Sequence, residues 1–308
     1  MIQELLSRRG FTLKNLHLLL ELEEAGSLVK VAKGNETRQG LYSRQLRELS
    51  ECFGVALTER QGRELKLTEH GRRLARLVRE TFLNMGNFQH SCGEEQLAVS
   101  IGAGDSLLQW LLLPRLGTIQ DKLKKLHLNV HFTLLNLKND EIAEKLAELK
   151  LDFGVMRDTA VPPKHRKERL LLGEFAIFVP KSLLPRSGKA DYKRVFQSIP
   201  LVRHSPGGEL VTHIAQMALA EKIALNYCLT CEGFPQACRA IQSGRYAGIL
   251  PTIARGDLKA GDYVEVDWPA LKAEARSIML AYNRRRLSLR TDLEKVANCL
   301  KAELARAA

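Results

Sequence analysis

The sequence has little of what membrane-spanning, secreted or disulfide-rich proteins need. No stretch of the chain approaches the roughly 18 apolar residues of a membrane-spanning helix. The first residues, MIQELLSRRG, carry charges on both sides of a short apolar run, which is not the pattern of a secretory signal. We therefore expect a globular protein that works in the cytoplasm and has no membrane partner.

The six cysteines are too scattered for a disulfide framework or a zinc site. Cys228 and Cys231 are the closest pair, but no second C-x-x-C pair or His pair follows them to complete four zinc ligands. Both fall in a strand-like run, where residues three apart point to opposite faces. We expect packed, unmodified thiols and no metal site.

Sequence patterns of common catalytic and nucleotide sites are missing as well. Ser205 lacks the G-x-S-x-G frame of a hydrolase nucleophile, and the chain contains neither H-E-x-x-H nor a phosphate-binding P-loop. Gly102 and Gly104 begin a dinucleotide fingerprint, but the third glycine position is Leu107. We expect no cofactor and no enzymatic activity.

What the chain does have is positive charge. Its 308 residues include 47 Lys and Arg against 35 Asp and Glu, a formal charge of +12. The length favours two domains, since a single core rarely grows beyond about 250 residues. The charge favours an anionic partner. Nucleic acid is the first candidate, with a membrane surface or an anionic metabolite as alternatives.

The first 90 or so residues have the apolar spacing of helices. After a helix that begins near Leu13, the pattern predicts a short helix over 28–33 with Ser27 as its N-cap. A third helix is predicted over 38–52, with Thr37 as its N-cap. A hairpin turns at 61–62, and a long helix covers 68–89. Two short helices joined by a tight link have the layout of a helix-turn-helix.

The exposed face of the third helix is rich in groups that bind nucleic acid. Gln39, Ser43 and Arg47 recur at i, i+4 and i+8 on this face, and Gln can pair with adenine in the major groove. Between residues 38 and 79, the sequence has ten Lys or Arg but only five Glu. A solvated helix face with incidental arginines is the alternative interpretation of this pattern. The residues that we expect at the DNA, from this face and the hairpin, are Ser27, Arg38, Gln39, Gly40, Ser43, Arg44, Arg47, Arg60, Arg63 and Lys66.

From residue 97 onward, alternating strands and helices replace the helical pattern. Repeated strand–helix–strand units predict parallel sheets covered by helices, in two consecutive sets. Polar residues follow several of these strands, where helix N-termini can hold an anion. The candidate ligand-binding residues are Gly104, Asp105, Ser106, Asn136, Arg203, His204, Ser205 and Phe234.

At this point the chain resembles a known family, the LysR-type transcriptional regulators. The resemblance is carried by GSLVKVAKGNETRQGLYSRQLRELSECFG with ALTERQGRELKLTEHG, and by IGAG, LPRL, LDFGVMR and SGRYAGILP farther along. In the family pattern, Gly40 replaces a usual proline at the start of the recognition helix. Asn35 stands in place of an apolar residue, Thr58 in place of an aromatic one, and Arg38 in place of a small hydroxyl residue.

The resemblance implies an α+β multidomain protein with an N-terminal winged helix-turn-helix, a long linker helix and two α/β subdomains of periplasmic-binding-protein type. The expected boundaries are 1–68 for the DNA-binding domain, 69–92 for the dimerisation helix and 93–308 for the effector-binding domain. Within the last, subdomain I covers about 97–173 and 277–308, and subdomain II about 174–276.

The resemblance further implies DNA contact by Gln39, Gly40, Ser43, Arg44 and Arg60, and a small molecule in the cleft between the subdomains. The expected partners are double-stranded DNA, a small-molecule effector with an organic anion as the candidate class, and further copies of the chain in a homodimer or homotetramer. A small-molecule-binding module that has lost DNA binding, or an enzyme that uses the α/β cleft, are the alternatives.

Overall fold

The computed structural model describes residues 2–62, 64–91, 96–185, 191–205, 209–259, 261–290 and 292–307. The chain divides into two compact units, Met1–Glu94 and Glu95–Ala308. Arg63, which we expect at the DNA, lies outside the described residues. None of the described helices is long and apolar enough to cross a membrane.

The described residues of the first unit form five helices and one hairpin. The helices are α1 (Ile2–Ser7), α2 (Leu13–Ala25), α3 (Leu28–Val31), α4 (Glu36–Phe53) and α5 (Glu69–Ser91), and the hairpin strands are β1 (Thr58–Gln61) and β2 (Glu64–Leu67). Leu19, Leu22, Leu46, Leu49 and Leu57 are all at most 1 % exposed in its core. The expected hairpin is present, with Gln61 opposite Glu64.

The recognition helix begins earlier than the sequence suggested. We expected Thr37 as its N-cap, but α4 starts at Glu36, and the side chain of Asn35 accepts a hydrogen bond from the Arg38 N–H at 3.0 Å. Asparagine is among the strongest N-caps because its amide oxygen satisfies a free helix N–H group. The departure at Asn35 from the family pattern therefore has a local structural role.

The hairpin and the long helix are fixed to each other by one threonine and one glycine. The Thr68 hydroxyl donates to the Ala56 carbonyl oxygen at 2.7 Å and accepts from the Gly71 N–H at 3.0 Å. A Cβ at Gly71 would lie 2.1 Å from the Leu57 carbonyl oxygen. Only glycine allows this approach between α5 and the chain before β1.

The second unit contains two five-stranded sheets. The first sheet has the order β4-β3-β5-β12-β6, and we call its region subdomain I. Its strands are β3 (Leu97–Ala103), β4 (Val130–Asn136), β5 (Phe153–Arg157), β6 (Arg166–Gly173) and β12 (Arg276–Tyr282). Its helices are α6 (Asp105–Leu107), α7 (Leu113–Lys125), α8 (Asn139–Ala147), α12 (Arg284–Leu289) and α13 (Asp292–Leu304), with a π-helical turn (Leu108–Leu112) between α6 and α7.

The second sheet has the order β11-β7-β10-β8-β9, and we call its region subdomain II. Its strands are β7 (Phe175–Pro180), β8 (Leu201–His204), β9 (Tyr227–Cys231), β10 (Ala247–Pro251) and β11 (Tyr263–Val266). Its helices are α9 (Tyr192–Ser198), α10 (Glu209–Ala220) and α11 (Phe234–Gln242).

The prediction of parallel sheets was wrong for the outer part of each sheet. In subdomain I, β3 pairs in parallel with β4 and β5, but β12 runs antiparallel to both β5 and β6. In subdomain II, β8, β9 and β10 are parallel, whereas β7 runs antiparallel to β10 and β11. The chain passes from subdomain I to subdomain II between the consecutive strands β6 and β7, and it returns to subdomain I through β12. These connecting strands are the ones that have antiparallel neighbours.

A buried charge network joins the last helices to the base of the first sheet. Asp152 is 2 % exposed and accepts hydrogen bonds from the side chains of Arg286 at 2.8 Å and Arg290 at 3.0 Å, and from Ser100. Burial lowers the pKa of the Arg290 guanidinium, although Asp152 opposes that shift. A single carboxylate thus anchors two cations inside subdomain I.

Candidate nucleic-acid interface and ligand cleft

Helix α4 presents a mostly polar face, on which Leu41 is the apolar exception at 49 % exposed, because its buried residues are on the other side. Leu46 and Leu49 are fully buried against the rest of the first unit, whereas Arg38, Gly40, Arg44 and Arg47 are exposed. Gln39 and Ser43 are half-buried at the edge of the exposed face. The predicted recognition residues therefore lie together on one accessible side of the helix.

Three of the arginines on this surface are not paired with an acidic side chain among the described residues. Among the described residues, the Arg38, Arg47 and Arg60 side chains have no hydrogen-bond or ion-pair partner. Arg60 is exposed in β1, and Lys66 in β2 lies 3.6 Å from Glu64. Unpaired guanidinium groups are well suited to phosphate, because they bind it with two parallel hydrogen bonds.

Ser27 differs from the other expected DNA contacts. Its side chain is 2 % exposed at the start of α3, where it makes no capping hydrogen bond. Its hydroxyl therefore has almost no accessible surface with which to make the expected contact with DNA. The role of Ser27 here is to begin α3 inside the helix-turn-helix.

The candidate ligand-binding residues cluster at the carboxyl ends of parallel strands. Gly104 and Asp105 follow β3, the exposed Asn136 ends β4, and His204 with the exposed Ser205 ends β8. In open α/β sheets, ligands bind outside the carboxyl ends of the strands. The topology therefore places most of the predicted residues at the edges where a ligand would bind.

Asp105 reaches from subdomain I to the start of α11 in subdomain II. Gly104 is the N-cap of α6, and Asp105 is its first helical residue. The Asp105 carboxylate accepts from the Ser106 N–H at 2.6 Å. Its Oδ2 lies 1.9 Å from the position that a Gly233 Cβ would take. Burial raises the pKa of Asp105, while the Ser106 hydrogen bond opposes this shift.

His204 and Phe234 form a contact beside this junction. Their ring centroids are 3.8 Å apart, and the Phe234 ring also lies 5.9 Å from that of Phe175. Burial lowers the pKa of His204 to about 4, although a hydrogen bond with the backbone of Ile249 opposes this shift. The buried Nε2 atom of His204 has no hydrogen-bond partner among the described residues. The imidazole is therefore neutral at pH 7.

Arg203 belongs to a pocket within subdomain II. Its Nε donates to the Thr230 hydroxyl at 3.2 Å, and its guanidinium lies 5.4 Å from the Tyr227 ring centroid. The pocket has a volume of about 360 Å³, including its opening to solvent. It is mostly apolar and is lined by Phe196, Leu201, Val202, Arg203, His204, Val211, Ile214, Tyr227, Gly248 and Ile249.

Two contacts between the subdomains were not found from the sequence. The Trp110 Nε1–H, in the π-helical turn, donates to Asp257 Oδ2 at 2.8 Å, and Arg157 at the end of β5 pairs with Glu209 at the start of α10. The rarity of tryptophan, with two in the chain, was the available signal for Trp110. No spacing rule pairs residues so far apart in the sequence.

The thiols remain apart. Cys52, Cys228, Cys231, Cys238 and Cys299 are free, and Cys92 lies outside the described residues. The expectation of packed thiols holds for Cys52 and Cys238 but is wrong for Cys228, whose β9 position faces solvent. Cys228 is exposed and Cys231 half-buried in β9. Among the described residues, no three His, Cys, Asp or Glu side chains gather in a group that could hold a metal ion.

Comparisons with family models cover nearly the whole chain. Residues 13–72 match the model described as "Bacterial regulatory helix-turn-helix protein, lysR family". Residues 93–305 match the model described as "LysR substrate binding domain". The second match alone exceeds half of the chain.

Characterised relatives and solved structures agree with these matches. The chain is 26 % identical over 231 residues to the iron-regulated virulence regulatory protein IrgB of Vibrio cholerae, covering 73 % of this chain and 75 % of that protein. It is 24 % identical over 287 residues, 90 % of each chain, to a probable nitrogen assimilation transcriptional activator of Synechococcus elongatus.

Among solved structures, full-length OxyR from Pseudomonas aeruginosa aligns with a TM-score of 0.63 at 15 % identity, covering 96 % of this chain and 97 % of that one. CbnR in complex with its target DNA aligns with a TM-score of 0.58 at 16 % identity, covering 97 % of this chain and 100 % of that one. These likenesses confirm the expected fold class.

Proposed function

The chain belongs to the LysR family of bacterial helix-turn-helix transcription regulators, with a DNA-binding domain and an effector-binding domain. From this premise, we propose that α4 enters the major groove of a duplex in the cytoplasm and that a small molecule bound in subdomains I and II controls the regulator. Binding rather than catalysis is the proposed role of the second unit.

The observation that carries the DNA-binding proposal is the polar face of α4. Its side chains Gln39, Ser43 and Arg47 recur about one helical turn apart, along the side of α4 that borders the buried Leu46 and Leu49. A recognition helix needs this arrangement, because its inner side packs on the domain while its outer side meets base edges. We assign the exposed Arg60 of the hairpin to the DNA backbone rather than to bases.

Fluorescence anisotropy tests the two proposed kinds of contact. Arg60→Ala should weaken binding to every duplex alike and lower the salt dependence, because a phosphate contact carries no sequence information. Gln39→Ala should instead change base preference on DNA from upstream of the protein's own gene. Equal losses on specific and random DNA for Gln39→Ala would contradict the proposed base contact. A protein that binds no duplex would support the alternative of a ligand-binding module without DNA activity.

We propose a dimer or tetramer whose two recognition helices bind half-sites about one helical turn apart. Support comes from α5, where, among the side chains that the structure describes, Leu77 is 45 % and Met85 is 59 % exposed. A double change of Leu77 and Met85 to Glu should yield folded monomers, measured by light scattering with size-exclusion chromatography. An unchanged oligomer would exclude this face of α5 from the interface.

The effector that we propose is a small organic anion bound beside Arg203. The guanidinium lies at the lining of this apolar pocket with Tyr227 at its side, so it can pair with a carboxylate whose apolar part packs against the pocket residues. The N-terminus of α11 is a poorer anion site, because the Asp105 carboxylate already lies against Gly233. A thermal-shift screen of the full chain should show stabilisation by organic acids that is lost in Arg203→Gln. Stabilisation by neutral sugars alone would reject the anion.

A ligand in this region can act on DNA binding only through a difference in affinity between two arrangements of the protein. Asp105 against Gly233 and Arg157 with Glu209 are contacts that opening or closing of the cleft would change. We propose that a change in these contacts alters how copies of the second unit pair, and thereby the separation of their recognition helices.

A further inference from the structure

The segment before the helix-turn-helix packs directly on the recognition helix. The family model begins at residue 13, so α1 and the residues that follow it precede the matched region. The Arg8 guanidinium donates to the Cys52 carbonyl oxygen near the end of α4 at 3.0 Å. The Phe11 and Phe53 rings meet edge to face with centroids 6.1 Å apart.

Gly10 brings this segment against the middle of α4. Its φ of +90° is in the left-handed region, and a Cβ there would lie 2.4 Å from the Glu48 carbonyl oxygen. The buried Asn15 holds the turn, since its Nδ2 donates to the Gly10 carbonyl oxygen at 2.9 Å. The position of Arg9 relative to α4 is therefore fixed by backbone packing and not by its own side chain alone.

Arg9 and Arg44 converge on one carboxylate oxygen. Arg9 Nη2 lies 3.4 Å and Arg44 Nε 3.1 Å from Glu48 Oε1. The Arg9 side chain is 80 % exposed and that of Arg44 is 69 % exposed. The two cations thus lie side by side at the surface with a single negative charge between them, which leaves a net positive pair beside the recognition face.

We propose that Arg9 is an additional DNA contact of this protein, bound to a backbone phosphate of the duplex beside the one that Arg44 reaches. The inference rests on the proposed entry of α4 into the major groove. Exposed ion pairs contribute little to stability, so Arg9 and Arg44 can exchange Glu48 for phosphate at small cost. Glu48 keeps the two guanidinium groups together in the free protein and opposes the approach of phosphate.

Salt-dependent binding to a fluorescein-labelled random-sequence duplex tests the proposal, since phosphate contacts do not depend on sequence. Arg9→Ala should weaken binding roughly three- to tenfold near ~0.1 M salt, and the slope of log K against log salt should fall by about 0.9. Arg9→Lys should keep most of the slope because it keeps the charge. Lys124→Ala, which removes an exposed charge from α7 in the second unit, should change neither quantity.

A second variant acts in the opposite direction. Glu48→Gln removes the negative charge between the arginines while keeping the backbone carbonyl that meets Gly10, so binding should tighten roughly two- to fivefold. An unchanged slope for Arg9→Ala, or no gain for Glu48→Gln, would overturn the role of Arg9 while leaving the regulator itself intact. If the unmodified protein shows no salt-sensitive binding to any duplex, the proposed DNA binding of α4 fails instead.

Discussion

Trp110 of subdomain I is bound inside subdomain II, where its indole N–H donates to Asp257 at 2.8 Å. The side chain is 6 % exposed and packs in an apolar cluster with Phe178, Leu250 and Leu258. The π-helical turn at Leu108–Leu112 interrupts the helix at the point where this side chain leaves it. Such turns carry one extra residue and are frequent at functional sites. One residue thus couples the two halves of the effector-binding domain.

Removing this indole should destabilise the second unit strongly. Trp110→Ala leaves a cavity between the subdomains and should lower the free energy of unfolding by about 3–5 kcal/mol. Trp110→Phe keeps most of the packing and loses one hydrogen bond to an exposed carboxylate, so we expect about 1 kcal/mol. Urea denaturation followed by circular dichroism measures both. A cost below about 1 kcal/mol for Trp110→Ala would show that the side chain is not enclosed.

The chain's tryptophan content allows a direct view of this contact. Trp268, the second of the two tryptophans, is 1 % exposed and donates to Glu221 at 2.9 Å within subdomain II. In a Trp268→Phe variant, all tryptophan fluorescence therefore comes from Trp110. Its emission should be blue-shifted in the free protein, and a ligand that opens the cleft should move it to the red. A solvent-like spectrum without ligand would contradict the buried position.

His204 should make the stability of the second unit depend on pH. Because burial lowers its pKa to about 4 in the folded protein, against 6.5 for an exposed imidazole, the unfolded chain binds the proton more tightly. The folded state is then fully stable above pH 6.5 and loses stability as the pH falls from about 6.5 toward 4. At 1.36 kcal/mol for each unit between 6.5 and about 4, the loss is about 3 kcal/mol.

A matched pair of variants isolates this contribution. In His204→Phe, the free energy of unfolding should vary less between pH 7 and about pH 4.5, since the titrating group is gone. His131→Phe, at an exposed position of β4, should keep the pH dependence of the unmodified protein. Asp105, whose raised pKa acts in the opposite sense, is present in all three proteins and cancels in the comparison. Parallel curves for His204→Phe and the unmodified protein would refute the assignment to His204.

Most of the element order could be predicted because most elements have a strong local pattern, but β6, β11 and the short helices α1, α9 and α12 were not predicted. The α4 spacing of Leu46 and Leu49 places its polar face outward, and the turn at Gln61-Gly62 marks the hairpin. The antiparallel strands were harder: β6 has no clear strand pattern, and β12 contains a continuous apolar run, which a buried parallel strand would also have. Their direction is set by pairing partners about a hundred residues apart, as between Arg166 and Tyr282.

The candidate sites could be predicted only as sets of residues and not as contacts. Arg203 was expected as a ligand-binding residue, but its contacts with Thr230 and Tyr227 depend on the pairing of β8 with β9. Asp105 was expected near its own helix start, and its approach to Gly233 depends on how the two subdomains pack. Ser27 is buried because α3 packs inward, which a four-residue helix does not reveal in its sequence.

The N-cap of the recognition helix offers a sharp local test. Asn35→Ala should lower the free energy of unfolding of the first unit by about 1 kcal/mol, because the Arg38 N–H loses its side-chain acceptor. Thr37→Ala, two residues farther into the helix, should change it by less than about 0.5 kcal/mol. Thermal unfolding of both variants provides the comparison. Equal costs would mean that Asn35 is not the residue that begins α4.

Gly40 and Gly71 should respond to the same substitution with opposite signs. A Cβ at Gly40 meets nothing within 4 Å, and the residue lies inside α4. Because Glu36 is the first helical residue, Gly40 lies beyond the first turn of α4 and not at its start, where the family pattern puts it. Gly40→Ala should therefore stabilise the first unit by about 0.5–1 kcal/mol through the lower backbone entropy of the unfolded chain. DNA affinity should be retained, since the family pattern has the larger proline ring at this position.

Gly71→Ala is the matched control, because its Cβ would lie 2.1 Å from the Leu57 carbonyl oxygen. Backbone atoms cannot move aside as a flexible side chain can, so we expect a loss of about 1–3 kcal/mol. Helix propensity alone favours alanine at both positions. Only the close approach of α5 to the chain before β1 separates the two outcomes, and a stabilising Gly71→Ala would show that this approach is absent.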